Sequence, residues 1–179
     1  MRFNVSKIAE SDLETRVEWI NNPMIHSSMY FDIPATVEKT RQWYEISRNN
    51  RHRIDLVFRD NSGIIVSMSG LTSIDYSNKN AEFYIMVNPK LQGKGIGKEV
   101  SLWTINYGFS KFDLHKVYLS TNEENIKAYK IYESLGFKIE GILRDHKFKD
   151  GKFTNRRLYG LLRSEWQKLN WKQHLSDVL

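Results

Sequence analysis

A chain of 179 residues with 40% hydrophobic and 13% aromatic residues is long enough for one domain with a sizeable core and too short for two. No apolar run reaches the length of a membrane span, and Met1-Arg2-Phe3-Asn4 opens without the apolar core of a signal peptide, so a soluble cytoplasmic protein is expected. The lack of cysteine excludes disulfides, thiolate metal sites and a cysteine nucleophile, while the net charge of +6 comes without any helix-turn-helix, zinc or RNA-binding motif that would point to nucleic acid.

Residues 3–8 alternate and predict a first strand. Ser11 or Asp12 is placed to cap a helix that carries Leu13, Val17 and Ile20 on one face and ends at Asn21-Asn22-Pro23. A short irregular or helical stretch, residues 24–33, leads past Pro34 to Thr36, a good N-cap for a helix reaching about Ser47. Residues 54–59 and 64–76 are predicted strands joined by Asp60-Asn61-Ser62-Gly63, and Ser77-Asn78-Lys79-Asn80 turns the chain into a third strand at 81–87. A glycine-rich loop then opens a helix from about Ile96 to Phe112, followed by a short strand at 116–120. A helix at 125–135 stops at Gly136. Strands at 137–144 and 153–162 flank Lys149-Asp150-Gly151-Lys152, a hairpin signal. Ser164-Glu165-Trp166-Gln167 has the composition of a capping box opening a C-terminal helical tail, residues 164–179. A run of strands followed by strand-helix-strand-helix-strand predicts a mixed α/β sheet in a single domain, 1–179, with its core at about 3–166.

The chemistry is concentrated around Gln92-Gly93-Lys94-Gly95-Ile96-Gly97-Lys98. Three glycines remove the Cβ atoms that keep a ligand from the backbone, and the helix that follows offers unpaired N–H groups and a positive dipole end, an anion site. The dinucleotide fingerprint needs glycine where Lys98 stands, and the P-loop needs Ser or Thr where Glu99 follows Lys98. Downstream, Asn125-x-x-Ala128-x-x-x-Tyr132-x-x-x-Gly136-Phe137 places an amide and a phenol on one helical side.

Gln92-x-x-Gly95-x-Gly97 after a strand resembles the coenzyme A pyrophosphate loop of the GCN5-related N-acetyltransferase (GNAT) family, and the segment from Asn125 to Phe137 resembles that family's second signature. The resemblance implies an acyl-CoA N-acyltransferase fold: a central, mostly antiparallel sheet, splayed at the cofactor cleft and flanked by helices. It implies acetyl-CoA as co-substrate and no metal. The pantetheine arm would pair with the backbone of Ile85, Met86 and Val87 and meet Asn125, and the pyrophosphate would lie on Gln92, Gly93, Lys94, Gly95, Ile96, Gly97 and Lys98.

The implied reaction is direct acetyl transfer to a primary amine, which is protonated at neutral pH and must lose a proton before it attacks. Glu82 is the candidate base, on a strand whose alternation gives it a face shared with Tyr84 and Met86. Tyr132 is the candidate acid for the departing thiolate. His26, His52, His115, His146 and His174 show no clustered ligand spacing, and Gly-x-Ser-x-Gly is absent, so neither metal nor serine catalysis is expected.

The acceptor is less legible. Trp19-Ile20-Asn21-Asn22-Pro23, Met29-Tyr30 and residues 36–44, with Gly141-Ile142-Leu143-Arg144 and Lys149-Asp150-Gly151-Lys152, resemble two branches of the family, the ribosomal-protein N-acetyltransferases and those acting on nucleotide-linked 4-amino sugars. His26, Tyr30, Phe31 and Tyr84 are the candidate acceptor-binding residues. Basic clusters at residues 48–53 and 147–157 favour a nucleotide-linked amino sugar over a protein N-terminus, and a basic chain makes a polyamine the least expected acceptor. A non-catalytic acyl-CoA sensor would carry the same loop, and the pair Glu82 and Tyr132 argues for an enzyme. Trp166, Trp171 and Leu175 suit a homodimer surface and closure of the core equally.

Overall fold

The computed structural model describes residues 3–29, 31–149 and 151–169. Along them run β1 (Asn4–Lys7), α1 (Leu13–Asn21), α2 (Pro23–His26), α3 (Val37–Ser47), β2 (Ile54–Arg59), β3 (Ile65–Asp75) and β4 (Asn80–Val87). Then come α4 (Ile96–Lys111), β5 (Lys116–Asn122), α5 (Ile126–Ser134), β6 (Lys138–Lys149), β7 (Lys152–Leu162) and α6 (Arg163–Trp166). The strands hydrogen-bond in the order β1-β2-β3-β4-β5-β7-β6. Pairs β1–β2, β2–β3, β5–β7 and β6–β7 are antiparallel, and β4–β5 is parallel, which gives the mostly antiparallel, open mixed sheet with helices that the sequence predicts.

The chain divides into two compact units, the first comprising residues 1–72 and 84–101, the second 73–83 and 102–179. The first unit buries Trp19, Ile20, Ile25, Val57, Met68 and Met86 together, with Met29, Phe31 and Ile65 packed against them. In the second, Leu114, Val117, Leu119, Leu135, Phe137, Tyr159 and Leu161 are buried. There β5 alternates cleanly, Val117, Leu119 and Thr121 inward and Tyr118 and Ser120 half-exposed, as period-2 patterning requires.

Three local expectations change. Asp12 does not cap α1: its carboxylate accepts the Ala9 N–H at 2.9 Å and pairs with Arg59, closing the turn before the helix. Ser164 lies inside α6, and only the reach-back half of a capping box forms, Glu165 accepting the Leu162 N–H at 3.0 Å. β6 runs to Lys149, well past the predicted end, because its far half is exposed and shows no apolar alternation to read; its register with β7 breaks between Leu143 and Lys147, where Asp145 adopts φ 49°. Thr36 does cap α3, accepting the Lys39 N–H at 3.3 Å. Trp171, Leu175 and most of the expected C-terminal tail lie outside the described residues.

Candidate active site

In the first unit, the glycine loop follows β4 and enters α4. Gly93 and Gly95 take φ of +80° and +79°, conformations that cost other residues strain, and a Cβ built on either would meet nothing within 4 Å. Gly97 instead lies in the right-handed first turn of α4, where Ser101 donates to its carbonyl at 2.7 Å. Gln92 to Gly95 are exposed, and the Gly95 carbonyl accepts the N–H groups of Lys98 and Glu99 at 3.1 and 3.3 Å, so the helix opens directly on the loop. A backbone with open space over two glycines at a helix start fits a pyrophosphate.

The strand before the loop sorts its backbone by parity. Ser69 and Ser67 on β3 donate to the carbonyls of Tyr84 and Met86 at 2.8 and 2.7 Å, and Asn88 donates its N–H to Val66, so the even-numbered residues face β3. Ile85 and Val87 turn their N–H and C=O groups to the opposite edge. The parallel ladder on that edge comprises three pairs, Asn80 with Lys116 to Glu82 with Tyr118, and ends there. Ile85 and Val87 lie beyond its end and suit pairing with an extended amide chain. Met86 does not: its carbonyl is taken and its side chain is in the core.

Of the acceptor candidates, Phe31 packs on the core of the first unit and His26 ends α2, while Tyr30 lies outside the described residues. Tyr84 is committed elsewhere. Asp55 on β2 and Gly70 on β3 are register partners, and the Tyr84 ring crosses β3 over Gly70 to donate its hydroxyl to Asp55. Arg53 grips the same carboxylate through two bonds of 2.8 and 2.9 Å. Burial, then the Asp55 charge, pushes the Tyr84 phenol far above its ordinary pKa, so it stays protonated. Arg16 stacks on Trp43 at 4.1 Å and is buried; its Nη1 has no hydrogen-bond partner, and among the described residues no carboxylate pairs with it. The sequence signal for this cluster was Arg53-Ile54-Asp55, two opposite charges two residues apart on an apolar strand.

In the second unit, Glu82 is half-buried beside its register partner Tyr118, which the sequence analysis passed over. Tyr132 on α5 meets Phe83 edge-on at 6.3 Å and contacts Phe137 and Tyr159 at 6.0 and 6.5 Å. Because neighbouring strand residues point to opposite faces, Tyr132 lies on the Phe83 face and Glu82 on the other. Burial raises the Tyr132 phenol to about 12, against the pull of the nearby Arg156 guanidinium. Asn125 caps α5, its side-chain oxygen accepting the Ala128 N–H at 3.2 Å.

An open pocket of about 470 Å³ in the first unit, lined by Thr15, Glu18, Asn22 and Lys90 among others, contains none of the predicted site residues. Among the described residues no group of three or more His, Cys, Asp or Glu could hold a metal, and no helix is long and apolar enough to cross a membrane.

The acetyltransferase (GNAT) domain family matches residues 2–138. The spermidine N(1)-acetyltransferase of Escherichia coli is 39% identical over 85 residues, 48% of this chain and 46% of that protein, so the chain spans about half the length of that relative. The Vibrio cholerae spermidine N(1)-acetyltransferase is 28% identical over 148 residues, 82% of this chain and 86% of that protein. A crystal structure of the V. cholerae spermidine N-acetyltransferase in complex with CoA and spermine superposes with a TM-score of 0.88 at 27% identity, covering 93% of this chain and 99% of that one. With the family's domain matching residues 2–138, well over half of the chain, the chain belongs to the GNAT acetyltransferase family.

Proposed function

We propose that the chain transfers an acetyl group from acetyl-CoA to a primary amine, and that the acceptor is a polyamine. The observation that carries the acceptor is the match to the V. cholerae spermidine N(1)-acetyltransferase across 82% of this chain, with a fold superposing on its CoA and spermine complex. This reverses the order expected from composition, and both relatives described above are named for spermidine rather than for a nucleotide-linked amino sugar. Net charge is a property of the whole surface, screened within about 10 Å. A protonated amine approaching Glu82 meets local groups, among them Glu82, Tyr118 and Asp75.

Acetyl-CoA supplies the activated thioester. The backbone of Gly93 to Gly97, at the positive end of the α4 dipole, holds its pyrophosphate, Lys94 adds charge, and Ile85 and Val87 pair with the pantetheine arm. Glu82 receives the proton that the acceptor nitrogen must lose. Tyr132, on the opposite face of the sheet, acts on the departing sulfur. With its phenol at about 12 and a thiol near roughly 8.5, complete proton transfer is uphill by roughly 5 kcal/mol. Tyr132 therefore works as a hydrogen-bond donor that stabilises the thiolate as its charge develops.

One observation favours a second acceptor. Arg16, buried beside Trp43, Phe31 and Tyr84 with an orphaned Nη1, is a cation that repels a polyammonium and attracts a phosphate. A nucleotide-linked amino sugar would supply that phosphate. Release of free CoA measured over spermidine, spermine, nucleotide-linked amino sugars and peptide N-termini separates the readings, with the highest kcat/KM expected for a polyamine. Turnover with the amino sugars and none with polyamines would overturn the polyamine and establish the second reading, and acetyl-CoA binding without turnover on any amine would make the chain a sensor. Tyr132→Phe is expected to lower kcat at least about tenfold while acetyl-CoA affinity, followed by calorimetry, stays within about twofold.

A further inference from the structure

We propose that Tyr118 is a positioning residue for the transfer reaction, its phenol held by the Ser73 hydroxyl and set against Glu82 so that the carboxylate points at the acceptor nitrogen. The inference rests on the reading of Glu82 as the base. Its geometry is that of a row of side chains on one face of the second unit. Glu82 on β4 and Tyr118 on β5 are register partners in the parallel ladder, so both project on the same face, about 5 Å apart at the strand spacing. On the other side of Tyr118 its β7 partner is Gly160, and the Glu140 side chain lies over that glycine; a Cβ at 160 would stand 2.3 Å from its carboxylate. Glu140 is itself tied to Lys116 at 2.7 Å, two residues before Tyr118 on the same strand face.

Tyr118 is thus bounded on both sides along the sheet. Its hydroxyl is fixed from a third direction. Ser73, at the end of β3, is held in the left-handed region at φ 51°, a strained conformation for a serine, and from there hydrogen-bonds the phenol. Burial first, then the charges of Glu82 and Asp75, raise the phenol's pKa, while the Ser73 bond pulls the other way, so Tyr118 carries its proton at neutral pH. With its oxygen accepting from Ser73, that proton is free to be directed at the neighbouring carboxylate. Asp75 is already occupied by the backbone N–H groups of Ser77 and Asn78, which leaves Glu82 as the carboxylate that the phenol restrains.

The deciding experiment compares Tyr118→Phe, Glu82→Gln and the double variant through kcat and the separate KM values for the amine and for acetyl-CoA. Tyr118→Phe is expected to lower kcat about tenfold, with the KM for acetyl-CoA within about twofold. The double variant should lose no more than Glu82→Gln alone. Circular dichroism melting of Tyr118→Phe close to that of the parent chain excludes a folding defect, since only a hydroxyl is removed. A parent-like kcat in Tyr118→Phe beside an inactive Glu82→Gln overturns the role of Tyr118 and leaves Glu82 as the base. A Glu82→Gln variant with parent activity overturns both.

Discussion

Gly70→Ala is expected to lower the melting temperature on the order of 10 °C, or to prevent folding, although it adds one methyl group to the middle of a strand. A Cβ at this position would stand 2.1 Å from the carbonyl oxygen of Ile54 and 2.8 Å from Cε1 of Tyr84. The second contact can be relieved by moving a ring. The first cannot, because Ile54 belongs to β2, where Ile54 pairs with Leu71 and Asp55 with Gly70 itself. Overpacking of this kind costs about 3 kcal/mol or more, which for a chain of this size corresponds to the stated shift. Displacing the Tyr84 ring also breaks its bond to Asp55, and a buried carboxylate that loses a donor adds to the cost. Comparing the cost of Gly70→Ala in the parent chain with its cost in a Tyr84→Ala background separates the two terms in thermal melts. No further loss in the Tyr84→Ala background would mean that the ring alone forbids the methyl group; a loss that persists there would assign the cost to the β2 backbone.

Much of the fold was legible because it is local. Residues 54–59, whose strand the structure reproduces at Ile54–Arg59, and Thr36 with the helix after it, carry their signals in periodicity and capping chemistry. The glycine loop and the segment after Asn125 were readable for the same reason: each works through backbone conformation and short spacing. What the sequence does not display is lateral. The row from Asp55 through Gly70 to Tyr84 joins residues far apart in the chain and exists only because β2, β3 and β4 lie side by side. The same holds for Glu82 and Tyr118, whose adjacency depends on a parallel register that no residue pattern announces. Tyr84 was expected to touch the acceptor because alternation places it on the face of Glu82; alternation is correct about the face and silent about Asp55, which claims the hydroxyl. Met86 was expected at the cofactor because it precedes Val87, but a strand offers only every second residue to a given edge.

The second large effect falls on ligand binding and spares the fold. In Gly95→Asp the new Cβ meets nothing within 4 Å, so the protein has room for it at an exposed position. The backbone at φ +79° costs an L-residue about 1–2 kcal/mol, and aspartate is among the residues that tolerate the left-handed region best, so a folded variant is expected. For acetyl-CoA the same change is severe. A carboxylate would occupy the volume above the loop and oppose the pyrophosphate with a like charge where the α4 dipole now favours an anion. At an effective dielectric of about 20, like charges about 4 Å apart repel by about 4 kcal/mol, a loss of roughly a thousandfold in affinity. Gly95→Ala is the control for backbone strain, since it carries the same φ without charge, and should lose about tenfold. Titration calorimetry with acetyl-CoA reads both variants directly. If Gly95→Asp and Gly95→Ala weaken binding equally, the loss comes from backbone strain and the pyrophosphate does not lie over Gly95; a hundredfold gap between them places the negative charge of the ligand above this glycine.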